Sequence, residues 1–279
     1  MAENPKDRVL NFISEFKKDN LGKSKIKLLF AEVLKYLEEG KIRSAEKVGD
    51  EWQVNQWVKE AIMIGFKTGV LEKISNENQN FFDKDTLPLQ NISLKDGIRL
   101  VPGGSSIRCG SYIANGTIVM PPSYINIGVY IDTGCMIDSH ALVGSCAQIG
   151  KNVHLSAASQ VGGVLEPIGA MPVIIEDDVF IGGNCGLYEG VIIKTKAVIG
   201  TGVILNASTP VFDNTTGEFL KKTQDKPLII PENAVVIAGS RPINSGMGQK
   251  YGVHIYCPVI IKYRDSKTDT AVVLEELLR

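Results

Sequence analysis

Two aspartates and a histidine stand close together in an otherwise apolar stretch of the chain. The stretch INIGVYIDTGCMIDSHALVG covers residues 125–144, where Asp132 and Asp138 each follow an isoleucine and His140 lies two positions further on. A carboxylate or an imidazole can take up the proton that an amine must lose when it attacks an acyl group. A histidine can instead bind a metal, and an aspartate can simply cap a turn. The elements that hold these side chains decide between these roles.

Aliphatic residues recur at every sixth position around the two aspartates, a period that is neither helical nor that of a simple strand. The series consists of Ile107, Ile113, Val119, Ile125, Ile131, Ile137, Val143, Ile149, Leu155, Val161, Ile175, Ile181, Leu187, Ile193, Ile199 and Leu205. Small or β-branched residues follow four positions later, often after a glycine, where a tight turn would need a positive φ. This repeat predicts a mainly β protein built on a left-handed parallel β-helix, in which three short strands close a coil of about eighteen residues.

The chain divides into three regions. Residues 1–88 are expected to form an N-terminal α-helical domain and a linker, because an apolar stripe at helical spacing precedes the polar segment NENQNFFDKDTLP. Residues 89–210 carry the hexapeptide repeats, and a loop near 166–171 is expected to protrude where the series skips fourteen residues. Residues 211–279 are expected to form an excursion and a C-terminal β/α cap that ends in the helix TAVVLEELLR and covers the exposed strand edge.

The composition argues against several classes of partner. A formal charge of -1 gives no reason to expect nucleic acid or a membrane surface as the partner. No apolar run approaches the roughly 18 residues of a membrane span, and the N-terminus MAENPKDRVL lacks the apolar segment of a secretory signal. Five cysteines without a CxxC pair favour reduced thiols, so a cytoplasmic protein is expected.

A repeat of this kind is used by acyltransferases, by zinc carbonic anhydrases and by scaffolding subunits, and the fold alone does not choose between them. A zinc carbonic anhydrase needs three histidines on one metal. Here His140 and His154 lie in the repeats, but His254 lies in the predicted cap, and no close histidine pair is present. A scaffold would need neither the added regions nor an ordered insertion. An acyltransferase without a metal site or a tightly bound cofactor is therefore expected.

Four stretches together resemble one family, the bacterial tetrahydrodipicolinate N-succinyltransferases. They are RSAEKVGDEWQVNQWVKEAI at 43–62, MPPSYINIGVYIDTGCMIDSHALVGSCAQIGKNVHLS at 120–156, GGVLEP with VIIEDDVFIG at 162–182, and the terminal VIIKYRDSKT with ELLR. GSCAQIGKNVHLS followed by GGVLEP is far more specific than the hexapeptide pattern. The resemblance implies a homotrimer with active sites between neighbouring β-helices. It also implies transfer of a succinyl group from succinyl-CoA to the amine of tetrahydrodipicolinate, a step in diaminopimelate and lysine synthesis.

The resemblance also implies site residues on the acceptor side. Asp138 matches the aspartate that contacts the substrate amine in this family, while Asp132, one repeat earlier, is assigned to the scaffold. Arg99 matches the arginine that binds the substrate, and Arg108 is a second candidate. A guanidinium suits a dicarboxylate because it offers two parallel donors. The alternative for either arginine is a surface ion pair.

One position departs from the family pattern. Members often carry a catalytic glutamate in a stretch that corresponds to Gly182–Gly190, GGNCGLYEG, and the matching position is Gly186. Either Glu189 takes over from three residues away, or a water does, or the role is dispensable.

Coenzyme A needs exposed backbone for its pantetheine amides and cations for its phosphates. The backbone at Gly182, Gly183 and Gly202 is expected to serve the first need, and Lys222 and Arg241 the second. The nearest alternative is an acetyl donor with the same acceptor, because the length of the acyl group that fits depends on the shape of the pocket.

Overall fold

The computed structural model describes residues 4–75, 80–224 and 226–264 of the chain. The N-terminal region contains three helices, α1 (Pro5–Lys17), α2 (Lys23–Glu38) and α3 (Gln56–Thr68). Helix α1 begins where the Asn4 side chain accepts a hydrogen bond from the Lys6 N–H at 3.0 Å. The predicted stripe of α2 is buried, with Ile26, Phe30, Val33 and Leu37 at most 7% exposed. None of the helices in these ranges is long and apolar enough to cross a membrane.

Two hairpins accompany the helices. Strands β1 (Ala45–Val48) and β2 (Glu51–Val54) pair antiparallel between α2 and α3. Strands β3 (Leu71–Ser75) and β4 (Asn80–Lys84) pair antiparallel after α3. The composition predicts a linker where β4 lies. The hairpin is largely exposed, so its strands need no alternating apolar residues. A polar sequence can therefore form a strand there.

The hexapeptide repeats form a left-handed parallel β-helix with three faces. The first strand is β5 (Arg99–Leu100), which follows a 3₁₀ turn at Leu94–Asp96. Face A contains β6 (Ser106–Ile107), β9 (Tyr124–Ile125), β12 (Leu142–Val143), β15 (Gln160–Val161), β18 (Gly186–Leu187) and β21 (Ile204–Leu205). Face B contains β7 (Tyr112–Ile113), β10 (Tyr130–Ile131), β13 (Gln148–Ile149), β16 (Ile174–Ile175), β19 (Ile192–Ile193) and β24 (Ile229–Ile230). Face C contains β5, β8 (Ile118–Val119), β11 (Met136–Ile137), β14 (His154–Leu155), β17 (Phe180–Ile181), β20 (Val198–Ile199) and β25 (Ala234–Ile237).

The second residue of each repeat strand points into the prism, as the sequence predicts. From Ile107 to Leu205 these aliphatic residues are at most 7% exposed and form one core. Parallel strands stack in register, for example Ile137 between Val119 and Leu155. The aligned aliphatic side chains form columns inside the prism. Each column therefore buries one side chain per coil, and successive coils are about 4.8 Å apart.

Most turns of the β-helix place their third residue in the left-handed region. At the corner between faces C and A these residues are His140 (φ 62°), Ala158 (φ 59°), Asn184 (φ 57°) and Gly202 (φ 76°). Only glycine adopts this conformation without strain. The glycines predicted to need a positive φ at 110, 116, 128, 134, 190 and 202 all have one.

The insertion and the cap complete the described part of the chain. The predicted loop leaves the prism after β15 and returns at β16, at the corner between faces A and B. The excursion is a hairpin of β22 (Val211–Asp213) and β23 (Glu218–Leu220), with its turn at 214–217. The cap adds β26 (Ser240–Pro242), the short helix α4 (Gly246–Lys250), β27 (His254–Tyr256) and β28 (Val259–Tyr263). The predicted terminal helix TAVVLEELLR lies outside the described residues.

Candidate active site

A column of turn residues runs along the corner between faces C and A, and we call it the corner track. It consists of Met120, Asp138, Ser156, Gly182, Gly200 and Ile237, one from each successive coil. Backbone hydrogen bonds hold the order: Asp138 N–H donates to Leu155 O at 2.9 Å, and Gly182 N–H donates to Ile199 O at 2.7 Å. Asp138 therefore lies two coils from Gly182, about 10 Å along the axis. Four of the predicted site residues, Asp138, Gly182, Gly183 and Gly202, share this corner.

The Asp138 carboxylate leaves the prism half-buried at the end of β11. Its Oδ1 accepts a hydrogen bond from the Ser139 N–H at 2.7 Å, which fixes the side chain rotamer. The other carboxylate oxygen has no partner among the described residues and is available to a ligand. Asp132 makes the same contact, with the Thr133 N–H at 2.7 Å, but it lies at the corner between faces B and C. The two aspartates therefore serve different surfaces.

The two predicted arginines lie in different environments. Arg99 is exposed on β5, at the start of face C, two strands before β11. Arg108 lies at the corner between faces A and B, where its guanidinium pairs with Asp83 at 2.5 Å and donates to Tyr124 Oη at 2.9 Å. It also donates to the Leu87 carbonyl at 2.5 Å. The structure therefore places Arg99 on the face that carries Asp138, whereas Arg108 ties the β3–β4 hairpin to the prism.

The backbone of the corner track is partly bare. A Cβ on Gly182 would approach Thr201 N to 2.5 Å, so the next coil packs directly on it. A Cβ on Gly202 would meet nothing within 4 Å, so this turn is open to a ligand. Arg241 follows the last residue of the track, Ile237, by four positions and lies in the cap hairpin β26–β27. That hairpin contacts the prism where Tyr256 Oη accepts a hydrogen bond from the Ile204 N–H at 2.6 Å.

A separate cavity of about 880 Å³ lies beside the insertion loop, and we call it the loop cavity. Lys222 lies here rather than on the corner track, together with Glu189 and Glu166. Glu189 accepts a hydrogen bond from the Ala207 N–H at 2.8 Å. The loop cavity and the corner track lie at opposite ends of the short strand β18. Gly182 lies on the track in the turn before this strand, and Tyr188, which lines the loop cavity, directly follows the strand.

Tyr188 explains why a glycine is accommodated at position 186. A Cβ on Gly186 would lie 2.5 Å from Tyr188 Cε2, and one on Gly162 would lie 2.7 Å from Tyr188 Cδ1. The ring therefore covers both glycines and occupies the space into which a side chain at 186 would extend. Tyr188 also lines the loop cavity. The repeat pattern gave no signal for this polar residue.

The three histidines lie apart. His140 is exposed in the turn that follows Asp138, at the corner between faces C and A. His154 is buried on face C, and His254 contacts Ser240 Oγ at 3.1 Å in the cap. In residues 4–75, 80–224 and 226–264, no three histidine, cysteine or acidic side chains come together as metal ligands.

The cysteines are thiols, and burial makes several of them poor nucleophiles. Burial raises the pKa of the Cys109 thiol to about 12 and that of Cys146 to about 11. Burial also raises the pKa of Cys185, which lies in the turn after Gly182 and contacts Gly200 O at 3.1 Å. These thiols therefore stay protonated near neutral pH.

Two family models match the chain. Residues 14–68 match the model described as tetrahydrodipicolinate N-succinyltransferase N-terminal, and residues 172–207 match the hexapeptide repeat of succinyl-transferase. Together with the β-helix, they place the protein in the class of hexapeptide-repeat acyltransferases. A 2,3,4,5-tetrahydropyridine-2,6-dicarboxylate N-succinyltransferase of Nitrosomonas eutropha is 47% identical over 253 residues, covering 89% of this chain and 88% of its own. The chain belongs to this N-succinyltransferase family.

A second relative and one solved structure are also similar to most of this chain. The relative of the same name from Legionella pneumophila is 46% identical over 252 residues, covering 89% of this chain and 87% of its own. A solved structure from Campylobacter jejuni, provisionally described as a 2,3,4,5-tetrahydropyridine-2-carboxylate N-succinyltransferase, aligns over 87% of this chain and 63% of its own. Its TM-score is 0.43 at 16% sequence identity.

Proposed function

We propose that the protein transfers the succinyl group of succinyl-CoA to the amine of tetrahydrodipicolinate, giving N-succinyl-2-amino-6-oxopimelate and CoA. The names of relatives at 46–47% identity support this reaction, which belongs to diaminopimelate and lysine biosynthesis. The structural observation that carries it is the corner between faces C and A, which holds the outward Asp138 carboxylate and the open turn at Gly202, with Arg241 in the cap hairpin four positions after Ile237.

The proposed reaction is a direct transfer from the thioester to the amine. Water opens the ring of the acceptor to an amino acid with a free amine. The amine nitrogen attacks the thioester carbonyl carbon, the C–S bond breaks, and the sulfur leaves as the thiol of CoA once protonated. The free oxygen of Asp138 orients the amine and accepts its proton. The attack is direct, without an acyl-enzyme, and the raised pKa values of Cys109, Cys146 and Cys185 support that route.

The two substrates have distinct binding groups in this proposal. Arg99 binds a carboxylate of the acceptor, because its exposed guanidinium lies on the face that carries Asp138. The pantetheine arm follows Gly182, Gly183 and Gly202 toward the cap, where Arg241 meets the phosphates. Lys222 lies at the loop cavity and Arg108 is held by Asp83, so we assign neither to the track.

The proposed assembly is a homotrimer with its sites between subunits, working in the cytoplasm. The open side of the corner track at Gly202 supports a shared site, because a thioester needs a second wall that excludes water. Free thiols at all five cysteines support a reducing compartment.

A thiol-release assay tests the reaction. With tetrahydrodipicolinate as acceptor, succinyl-CoA should release CoA at least tenfold faster than acetyl-CoA at equal concentrations. Faster release from acetyl-CoA would replace the donor and keep the acceptor. No release with either donor, or stoichiometric zinc with hydration of carbon dioxide, would refute the proposal.

A further inference from the structure

Lys59 is a buried lysine that the proposed reaction does not use. It lies on α3, in the N-terminal helical region, and its side chain is 0% exposed. Buried lysines are rare because removing an ammonium from water is costly without a partner. No carboxylate pairs with Lys59 in the part of the chain that the structure describes.

The partner of Lys59 is a backbone carbonyl of the insertion loop. The Lys59 Nζ donates to Ala170 O at 2.6 Å, across 111 residues of sequence. Ala170 N–H in turn donates to Pro167 O at 2.9 Å, which closes a turn at the tip of the loop. The ammonium therefore holds this turn at one point from the side of α3.

A second residue of α3 lies against the same turn. A Cβ on Gly169 would come within 3.4 Å of Gln56 Nε2, so the Gln56 side chain is in near contact with the loop. Gln56 and Lys59 are three positions apart and face the same side of the helix. Helix α3 thus supports the loop through two side chains.

The supported turn forms a wall of the loop cavity. Its lining includes Pro167, Gly169, Ala170 and Met171 together with Tyr188 and Glu189. The cavity also holds Glu166, Lys222 and Lys226, so both charge signs are present. An amino acid with two carboxylates presents both signs and matches such a lining.

We propose that Lys59 is a positioning residue, which fixes the insertion loop so that the loop cavity fits the amino-dicarboxylate acceptor. This inference rests on the proposed function and on its shared site: in the proposed trimer the loop cavity of one chain completes the acceptor site at Asp138 of its neighbour, because within one chain the two lie at opposite ends of β18. Lys59 does not touch the acceptor and acts through the Ala170 carbonyl.

The test compares Lys59→Met with wild-type protein and with Lys67→Met. Methionine keeps the length and apolar stem of the side chain but cannot donate a hydrogen bond. Lys67 is an exposed lysine of the same helix and serves as the matched control. Loss of a charge-assisted hydrogen bond should raise the KM of the acceptor about ten- to hundredfold, while the KM of succinyl-CoA changes less than threefold.

Two measurements separate positioning from a loss of folding. Hydrogen–deuterium exchange of residues 163–171 should quicken at least tenfold in Lys59→Met, while exchange in α3 and in the β-helix stays as in wild type. The midpoint of thermal unfolding should not fall, because the variant removes a desolvated charge. If Lys59→Met does not fold, Lys59→Gln, whose amide is too short to reach Ala170, takes its place.

The outcomes are distinct. An unchanged acceptor KM in an active, folded Lys59→Met variant overturns the inference and leaves the proposed function standing. Unchanged loop exchange overturns it as well. If the wild-type protein releases no thiol with either donor, the proposed function fails, and the exchange measurement still decides whether Lys59 holds the loop.

Discussion

Asp132 and Asp138 have the same local geometry at two different corners of the prism. Each carboxylate accepts a hydrogen bond of 2.7 Å from the next backbone N–H, so turn capping is common to both. Their separation of six residues moves the side chain from the corner between faces B and C to the corner track. At the residue scale, the proposed roles of the two aspartates therefore differ only in the surface that each carboxylate reaches.

This equivalence makes Asp132 a matched control for Asp138. Asp138→Asn keeps the size of the side chain and an oxygen for the Ser139 N–H, but its amide cannot accept the proton of the amine. We expect kcat to fall by at least about a hundredfold, within the range for loss of a general base. Asp132→Asn should keep kcat within about twofold. Steady-state thiol release measures both, and near-normal turnover in a folded Asp138→Asn variant would remove Asp138 from the mechanism.

The pair Gly186 and Tyr188 gives a second prediction at this scale. Gly186→Ala places a Cβ 2.5 Å from the Tyr188 ring and should destabilise the protein by about 1–3 kcal/mol through overpacking. The double variant Gly186→Ala/Tyr188→Val should recover much of that loss, because the ring is gone. Gly22→Ala is the control, since nothing lies within 4 Å of its Cβ and its φ of -70° is ordinary. Thermal unfolding measures all three, and a fully additive double variant would contradict the clash.

Among the elements, the β1–β2 hairpin is joined to the prism by a buried carboxylate in addition to the apolar packing of Ala45 and Trp52 against Ile174 and Ile192. Glu176 Oε1 accepts hydrogen bonds from Trp52 Nε1 at 2.9 Å, Lys194 Nζ at 3.1 Å and Lys47 Nζ at 3.2 Å. Its Oε2 accepts from the Thr195 hydroxyl at 3.2 Å. Burial alone would raise the pKa of Glu176, but these donors outweigh it and lower the pKa from 4.5 to about 2.

This carboxylate gives the hairpin a pH-dependent stability. Because the folded pKa lies below the unfolded value, the contribution is complete above about pH 4.5 and is lost as the pH falls toward 2. The shift corresponds to at most about 3 kcal/mol. Glu176→Gln should therefore lower the thermal midpoint at pH 7, and its difference from wild type should shrink between pH 4.5 and 2. If the difference in thermal midpoint between Glu176→Gln and wild type persists at pH 2, the loss of stability comes from packing and not from the charge. Glu46→Gln is the control, because Glu46 is exposed on β1.

The elements differ in how well the sequence predicts them. The repeat strands follow from the six-residue period because every coil must bury one aliphatic side chain, as at Ile137. The hairpin strand Asn80–Lys84 does not follow, because it buries little and its pairing with Leu71–Ser75 is a backbone property. Lys59 is missed for a similar reason. Its position in an apolar helical stripe is a visible signal, but its acceptor is a carbonyl 111 residues away.

At the scale of the whole molecule, the corner track joins groups that are far apart in the sequence. Asp138 and Gly200 are brought to one corner because each coil advances by about 4.8 Å, and the six-residue period predicts that alignment. The separation of Lys222 from the track depends on how the excursion hairpin folds back, which no repeat determines. Among the described residues, nothing lies within 4 Å of a Cβ built on Gly202, which leaves room at this turn for a second wall.

The proposed trimer, in which a neighbouring copy supplies the second wall, predicts that activity depends on assembly. Light scattering should give about three times the chain mass of 30.3 kDa at every concentration where the enzyme is active. Specific activity should fall on dilution as the trimer dissociates, because each released chain exposes its track to water. Asp132→Asn should follow the same dilution curve, since its corner is not part of the track. A stable monomer with undiminished specific activity would contradict a shared site and require that one chain complete the wall alone.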